Sequence, residues 1–329
     1  MKKPSKPLKK RKTGGKKKKY KVRNWAEYNE ALVARGNIDF WISKETLEGW
    51  QISVKTGKPG RPKNFSDTSI MAALTIREVF HLTLRQTEGF MRSMLLKLSD
   101  KAKSPDFSTL SLRAAALEVP IRVRSFGKEP LHIVADSSGV KVFGEGEWKV
   151  RQHGWSKRRT WKKIHLGIDE ATGDIMIGEV TGNNIADCEA FPSLLEQIPK
   201  DVILGQCSAD GGYDRRVCYE ALRKRGVKRV AIPPQRNARI WRHGNSSLER
   251  LARDENLRAI RRVGRRQWKK DADYHRRSLA ETTMFRFKAI FGDDISNRTE
   301  QNQRIQLFIR MRALNFMTSL GMPRSEVVA

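Results

Sequence analysis

The stretch Tyr274-His275-Arg276-Arg277-Ser278-Leu279-Ala280-Glu281-Thr282-Thr283-Met284-Phe285-Arg286-Phe287-Lys288 has the spacing of one helix with a polar face. At about 100° per residue, four side chains fall within about 60° of one another. These four are Tyr274, Arg277, Glu281 and Lys288. The opposite side carries the apolar stripe Leu279, Thr283, Phe287 and Ile290, which predicts a core contact. Taken alone, a carboxylate among cations is also typical of a solvated ion-pair network.

The chain as a whole is strongly basic. Its 329 residues include 66 Lys and Arg against 36 Asp and Glu, a net charge of +30. This excess indicates a polyanionic partner, nucleic acid before all others. No apolar run approaches the ~18 residues of a membrane span, and no signal sequence follows the basic start, so we expect no membrane association and a cytoplasmic location. The three cysteines have no metal-binding spacing and fit a reducing compartment.

The first part of the chain divides into a tail and a helical region. Residues 1–23 are rich in Lys and lack acids, which predicts a disordered tail that contacts phosphates. Residues 24–125 form the helical region, and three short helices within 66–118 indicate a helix-turn-helix-like DNA-binding unit, with a plain helical bundle as the alternative. Arg61, in Gly60-Arg61-Pro62, is a candidate minor-groove contact, although a simple linker has the same composition.

From residue 126 the pattern changes to α/β. The order of elements is three strands, a helix, a strand, a helix, a strand, a basic insert and a helix, which is the order of a ribonuclease-H-like (retroviral integrase superfamily) mixed sheet flanked by helices. Asp136 and Asp210 each follow a strand run. In such a sheet the first and fourth strands are neighbours, so the two aspartates meet, and the helix with Glu281 packs beside them. Three converging carboxylates in a basic protein predict a site for two Mg²⁺ (or Mn²⁺) ions.

Other residues compete for these roles. The insert at about 235–272 is basic with few apolar positions, so we expect it to be partly ordered; its Trp268 is a candidate for stacking on DNA bases. We do not expect the other acids of this region to be the third metal ligand; Glu145 and Glu147 are expected at the surface of a Gly-rich loop, and Asp214 as a helix N-cap. These acids are Glu145, Glu147, Asp169, Asp187 and Asp214.

The motifs resemble those of a known family. The signature Tyr-x2-Arg-x3-Glu-x6-Lys is matched at Tyr274, Arg277, Glu281 and Lys288. The segments that begin at Asp136 (Asp-Ser-Ser-Gly-Val-Lys) and at Ala209 (Ala-Asp-Gly-Gly-Tyr-Asp) resemble the blocks around the first and second aspartates of the same family. Over roughly residues 20–323, the chain is similar to DDE transposases of bacterial insertion sequences, in particular insertion sequence family five.

This resemblance implies a role for each motif residue. Asp136, Asp210 and Glu281 would be the catalytic metal ligands, Arg277 and Lys288 would hold phosphates of the transposon ends, and Tyr274 would position the backbone or a base. The implied reactions are hydrolysis at transposon ends and transfer of the freed 3′-hydroxyl into target DNA, without a covalent protein–DNA intermediate. The catalytic domain would span 126–323, followed by a short tail at 324–329.

The implied partners are double-stranded DNA, both terminal inverted repeats and target, and further copies of the chain. Action on two ends implies a homodimer or higher assembly, and a bacterial enzyme of this kind would be nucleoid-associated. Two alternatives stay open at this point. One is a ribonuclease-H-like structure-selective nuclease that only hydrolyses DNA, and the other is a catalytically silent DNA-binding regulator.

Overall fold

The computed structural model describes residues 19–52, 63–99, 101–121, 123, 129–142, 161–242 and 250–328. Strands β1 (Lys19–Val22) and β8 (Ser325–Val328) pair with each other in antiparallel register, with Tyr20 opposite Val327. The last residues of the segment predicted as an N-terminal tail thus pair with the segment predicted as a C-terminal tail. Each segment satisfies the backbone hydrogen bonds that the other would leave open.

The three helices predicted within 66–118 are present, and three further helices precede them in the described residues. They are α1 (Trp25–Ala34), α2 (Ile38–Trp41), α3 (Lys44–Glu48), α4 (Asp67–Val79), α5 (Leu84–Leu98) and α6 (Phe107–Ala114). Side chains cap the last three at their N-termini: Ser66 accepts from the Ser69 N–H, Thr83 forms a capping box with Gln86, and Asp106 accepts from the Thr109 N–H.

The centre of the protein is a mixed sheet. Its strands are β2 (Leu131–Val142), β3 (Trp161–Asp169), β4 (Ile175–Gly182), β5 (Leu204–Ser208), β6 (Arg229–Ala231) and β7 (Asp294–Ile295). The order is β4-β3-β2-β5-β6, and β7 pairs with the far end of β2. β2, β3 and β4 are antiparallel, whereas β5 runs parallel to β2 and β6 runs parallel to β5. The predicted adjacency of the first and fourth strands is confirmed.

Helices cover both faces of this sheet. Along β2, Val134 and Val140 face a core shared with α11 (Ser278–Phe291) and α12 (Glu300–Leu320), while Ile133 and Ala135 face the opposite core. That second core includes residues of α7 (Asp187–Glu196) and α8 (Arg216–Lys224). The alternation follows from the period of two in a strand, so successive side chains of β2 point into different cores.

The N-terminal helices share the first of these cores. Buried side chains of α4, α5 and α6 belong to the same hydrophobic cluster as those of the sheet, α11 and α12. A buried ion pair strengthens the contact, since Arg310 Nε of α12 donates to Glu78 Oε2 of α4 at 2.6 Å. The boundary predicted at residue 125 therefore does not separate two hydrophobic cores.

The basic insert is more ordered than predicted. It forms α9 (Ala252–Val263) and α10 (Arg265–Asp271), and its residues 243–249 lie outside the described ranges. Arg253 is 4 % exposed and donates from Nε to Asp214 Oδ1 at 2.7 Å. Asp214 also accepts from the Gln235 backbone N–H at 2.9 Å. The carboxylate predicted as a helix cap instead ties the insert to the loop that follows β5 by a buried charge pair.

The stretch Tyr274–Lys288 is two elements. Residues Tyr274–Arg277 form a 3₁₀ turn that follows Asp273 in the left-handed conformation, with φ 51°. Only from Ser278 does α11 begin. The core-facing positions are consequently Ala280, Thr283, Met284, Phe287 and Phe291, whereas Leu279 and Ile290 are half-buried. No helix in the described ranges has both the length and the apolar character needed to cross a membrane.

Candidate active site

Asp136 and Asp210 come together where two parallel strands separate. The last parallel pair of β2 and β5 joins Val134 to Ser208. Asp136 is two residues beyond Val134 within the continuous strand β2, and Asp210 is two residues beyond Ser208, after β5 has ended. Adjacent strands lie about 5 Å apart, so this equal offset brings two residues 74 positions apart in sequence to the same edge.

Arg277 links Asp136 to Glu281. Asp136 shares the face of β2 on which Val134 packs, the side covered by α11, and Glu281 lies in the first turn of that helix. The Arg277 guanidinium donates from Nη1 to Asp136 Oδ2 at 3.4 Å and from Nη2 to Glu281 Oε1. The side chains of Asp136 and Arg277 are 17 % and 19 % exposed, and that of Glu281 is 57 % exposed. One cation thus pairs with two acids near the protein surface.

The three carboxylates act on one another electrostatically. Burial raises the pKa of Asp136 above its ordinary value, and the negative charges of Asp210 and Glu281 raise it further. A hydrogen bond from the Ser137 backbone N–H, at 3.0 Å, and the charge of Arg277 act in the opposite direction. Both acids therefore lie close enough to disfavour the ionised form of Asp136, despite their distance in the sequence.

Asp210 is held by the turn that follows it. It caps the 3₁₀ turn Gly211–Tyr213, with its Oδ1 accepting from the Gly212 N–H at 2.8 Å. A Cβ at Gly212 would meet that oxygen at 3.0 Å, so glycine permits the carboxylate to fold back onto the backbone. Gly212 thus serves the orientation of the Asp210 carboxylate.

The donor set has the chemistry of a divalent-cation site but is not closed around one. Within the described residues, no three His, Cys, Asp or Glu side chains are grouped closely enough to hold a metal ion. The Arg277 guanidinium contacts both Asp136 and Glu281. Carboxylate oxygens are the ligands that Mg²⁺ and Mn²⁺ prefer, and the mutual repulsion at Asp136 is what a divalent charge would relieve. Such an ion would require Arg277 to release one of the two acids.

Two further signature residues are less exposed than the sequence pattern predicts. Tyr274 is 9 % exposed, and its ring lies 6.0 Å from that of Trp268 and 5.9 Å from the Arg277 guanidinium. The turn thus places Tyr274 behind Arg277, where it supports the arginine. Lys288 is half-buried two turns beyond Glu281, and its charge acts on Asp293, whose pKa is lowered mainly by the hydrogen bond from Lys141.

The base-stacking prediction for Trp268 is wrong for this structure. Its side chain is 3 % exposed, packs against Ala231 and Tyr274, and donates from Nε1 to Asn256 at 3.3 Å. The apolar ring anchors the basic helices α9 and α10 on the sheet, which leaves no face open to a base. Arg61 lies outside the described residues.

The other acids have structural partners. Asp169 accepts hydrogen bonds from two backbone N–H groups of its own turn, those of Ala171 at 3.2 Å and Thr172 at 3.1 Å. Asp187 forms an ion pair with Lys163 at 3.1 Å. Glu145 and Glu147 lie outside the described residues.

Two aromatic side chains near the acids were not anticipated from the sequence. Phe285 is 72 % exposed, the highest value for an aromatic residue in the described part of the chain, and it lies one helical turn beyond Glu281. Tyr213 is 1 % exposed and ends the turn that Asp210 opens. Helical spacing from Glu281 is the signal that points to Phe285, whereas the burial of Tyr213 has no signal in the sequence.

Two family models match the chain, and both are described as Transposase DDE domain. One covers residues 33–145 and the other residues 127–316, which is more than half of the chain. A solved structure, the cryo-EM structure of a piggyBac transposase synaptic complex with hairpin DNA, is similar at a TM-score of 0.40 and 12 % identity. That similarity covers 87 % of this chain and 76 % of the other. The family assignment rests on the two domain matches alone.

The longer match contains Asp136, Asp210, Arg277 and Glu281, the residues that meet at the edge of the sheet. DDE transposases are nuclease and strand-transfer enzymes that use divalent metal ions. The chain belongs to this family and is a DDE transposase.

Proposed function

We propose that Asp136, Asp210 and Glu281 form the catalytic centre of this transposase and hold two divalent ions, Mg²⁺ or Mn²⁺. The proposal is carried by the position of Arg277, which pairs with both Asp136 and Glu281, and by the equal offset of Asp136 and Asp210 beyond the last parallel pair of β2 and β5. When bound, the ions would activate the attacking oxygen and stabilise the leaving oxygen of an in-line displacement at phosphorus. The sheet order then corresponds to a ribonuclease-H-like core.

Arg277 has two roles in this proposal. Without DNA it neutralises Asp136 and Glu281 and keeps the acids from repelling the approaching polyanion. With DNA bound, its planar guanidinium transfers from a carboxylate to a phosphate oxygen, a ligand of the same geometry. Tyr274 stays behind the guanidinium and limits the directions in which it can turn.

The DNA path follows the basic surface on either side of this centre. Helices α9 and α10 expose Arg261, Arg262, Arg266 and Lys270. Lys269 of α10 lies 4.8 Å from the Tyr274 ring centroid, which connects that surface to the site. On the other side, Lys288 and Lys141 lie around Asp293. Phosphate contacts on both sides would hold a duplex end across the three acids.

Phe285 takes the role that the sequence assigned to Trp268. Its exposed ring is one turn from Glu281 and offers a stacking surface for a base or sugar next to the cut phosphate.

The protein is further proposed to be a bacterial enzyme of insertion sequence family five. It would cut DNA at terminal inverted repeats and join the 3′-hydroxyl ends to target DNA. It would work as a homodimer or higher assembly and associate with the nucleoid. The N-terminal helices α4–α6 would recognise the repeats.

The test is incubation of the protein with DNA that carries the flanking genomic sequence, with Mg²⁺ or Mn²⁺, followed by mapping of cut and joined positions. We expect cuts at repeat ends and strand-transfer products from pre-cut ends. Asp136→Asn, Asp210→Asn and Glu281→Gln should each abolish both reactions while DNA binding persists. Cleavage without joining would indicate a nuclease, and the absence of cleavage by the wild type would indicate a silent DNA-binding regulator. Cleavage that persists in all three variants would show that these acids are not the catalytic centre. Each of these results refutes the proposal.

A further inference from the structure

The 3₁₀ turn that carries Arg277 directly follows the basic insert. Helix α10 ends at Asp271, and Ala272 and Asp273 then lead into the turn Tyr274–Arg277. Asp273 has a left-handed φ of 51°, a conformation that few residue types tolerate and that sets the direction in which the turn leaves the helix. The position of Arg277 between the acids therefore depends on how residues 272 and 273 are held.

A cleft separates the insert from the sheet beside this point. It has a volume of about 820 Å³ and lies between β6 and the two insert helices, α9 and α10. Gln206, Asn256, Trp268 and Ala272 are among the residues that line it. Where such a cleft opens, apolar packing between the insert and the sheet is lost. The hydrogen bonds at its edge consequently have a larger share in holding the insert in place.

Gln206 of β5 joins the sheet directly to the start of the turn. Its side chain is 2 % exposed, and Nε2 donates to the Ala272 carbonyl at 3.3 Å and to Ser208 Oγ at 3.2 Å. The first bond fixes the residue just before Asp273, and the second keeps the amide from rotating. Asp210 follows Gln206 four residues later along the same chain segment. The segment that leads to a proposed metal ligand thus also holds the turn.

Asn256 of α9 forms a second connection. Its Nδ2 donates to the Val230 carbonyl of β6 at 2.7 Å, and its Oδ1 accepts from Trp268 Nε1 at 3.3 Å. The Trp268 ring lies beside the ring of Tyr274, which in turn lies behind the Arg277 guanidinium. A polar link from the sheet to the indole therefore continues as ring contacts to the arginine. Gln206 and Asn256 are here called the two anchors.

We propose that Gln206 and Asn256 are positioning residues for Arg277, and that the basic insert serves the reaction by holding this arginine between Asp136 and Glu281. The inference rests on the proposed function of the site. Both anchors act through the turn and its aromatic neighbours. When an anchor is lost, the guanidinium keeps its charge but points in more directions, so it meets a carboxylate or phosphate in the forked geometry less often.

The experiment compares Gln206→Met and Asn256→Leu with the matched control Asn315→Leu. Each substitution keeps the approximate volume of the side chain and removes its hydrogen bonds. Asn315 is 3 % exposed, accepts from the Ile175 N–H at 2.8 Å and donates to the Ile175 carbonyl at 2.7 Å. Ile175 belongs to β4, at the edge of the sheet opposite to β6. All three variants should melt below the wild type, because each leaves buried backbone groups without a partner.

Hydrogen exchange followed by mass spectrometry gives the first readout, which does not depend on activity. Peptides that cover residues 272–277 should exchange about tenfold faster in the two anchor variants and at the wild-type rate in Asn315→Leu.

The second readout is the rate of DNA cleavage at saturating DNA, measured in the wild-type background and in Arg277→Lys. We expect each anchor variant to lower this rate about tenfold in the wild-type background. In the Arg277→Lys background the loss should be less than about twofold, because the group that the anchors position is already gone. Asn315→Leu should change the rate by the same factor in both backgrounds. If Gln206→Met does not fold, Asn256→Leu alone decides both readouts.

Two results would overturn the inference while the proposed function survives. Wild-type exchange over residues 272–277 in the anchor variants would mean that the amides do not hold the turn. An equal loss of rate in both backgrounds would mean that they serve the fold in general and not Arg277. The proposed function fails separately if the wild type cleaves no DNA or if Asp210→Asn cleaves as fast as the wild type, and the inference then fails with it.

Discussion

Asp136 and Asp210 each stand two residues beyond the last parallel pair of β2 and β5, the pair Val134 and Ser208. Beyond that pair the strands no longer hydrogen-bond to each other, because β5 ends at Ser208 while β2 continues to Val142. The two carboxylates therefore border a gap in the sheet. Side chains at such a strand edge are fixed by rigid neighbours yet open to a ligand.

The raised pKa of Asp136 predicts a pH-dependent gain in stability for Asp136→Asn. Because the pKa is raised in the folded state, ionised Asp136 destabilises the folded protein; the penalty appears as the pH rises through the unfolded value of 3.8 and is complete above the raised folded value. We expect the metal-free variant to melt above the wild type at pH 7. The difference should disappear below about pH 4. A difference that does not change with pH would contradict this explanation.

Arg277→Lys should impair the reaction although the charge is kept. A lysine ammonium cannot reach Asp136 and Glu281, or two phosphate oxygens, with the forked geometry of a guanidinium. We expect cleavage per folded molecule to fall about tenfold or more. The matched control is Arg276→Lys, since Arg276 donates to Glu170 at 2.8 Å on the exposed side of the same turn. Equal losses in both variants would show that the position of Arg277 between the acids is irrelevant.

Trp268 and Phe285 should respond in opposite ways to truncation. Trp268→Ala removes a buried anchor of α10 and should cost about 3–5 kcal/mol of unfolding free energy, measured by denaturant titration. Phe285→Ala should change stability by less than about 0.5 kcal/mol, because the ring is exposed.

The same Phe285→Ala variant should bind a pre-cut duplex end about tenfold more weakly, whereas Phe285→Trp should retain binding because the indole offers a larger stacking surface. Quenching of 2-aminopurine placed next to the cut phosphate reports the contact directly. If the alanine variant quenches the probe as strongly as the wild type, Phe285 does not stack on DNA.

The shared core predicts that the N-terminal helices and the sheet unfold together. Glu78→Ala removes the carboxylate that pairs with Arg310 and Arg77 and leaves both guanidinium groups buried without it. The substitution should lower the free energy of unfolding by about 3–5 kcal/mol. The transition should stay single when followed by tryptophan fluorescence and by circular dichroism. The control Glu27→Ala breaks the exposed pair with Arg324 and should change stability by less than about 1 kcal/mol. Two separate transitions in the wild type would show that residues 24–125 fold as an independent domain.

Much of the fold could be predicted from the periodicity of the apolar residues. Strands and helices differ in the spacing of apolar residues, so the order of elements from Leu131 to Leu320 and the adjacency of β2 and β5 could be predicted. The signature spacing from Tyr274 to Lys288 selected the acid, Glu281, that lies near Asp136. The structure of the two chain ends and of the basic insert was harder to predict. The pairing of β1 with β8, and the burial of Arg253 against Asp214, join segments far apart in sequence, which local patterns do not encode.

The sequence by itself pointed to Asp136, Asp210 and Glu281 as candidate acids, and it determined the basic character of the chain and the order of its strands and helices, because residue type and spacing are properties of single segments. Only the tertiary structure decided which aromatic ring faces solvent, since Trp268 and Phe285 are alike in the sequence as large apolar residues near cations. It also decided that Arg277 lies between Asp136 and Glu281. Burial and charge pairing depend on what other segments bring to the same place, and that is settled when the sheet and its helices pack.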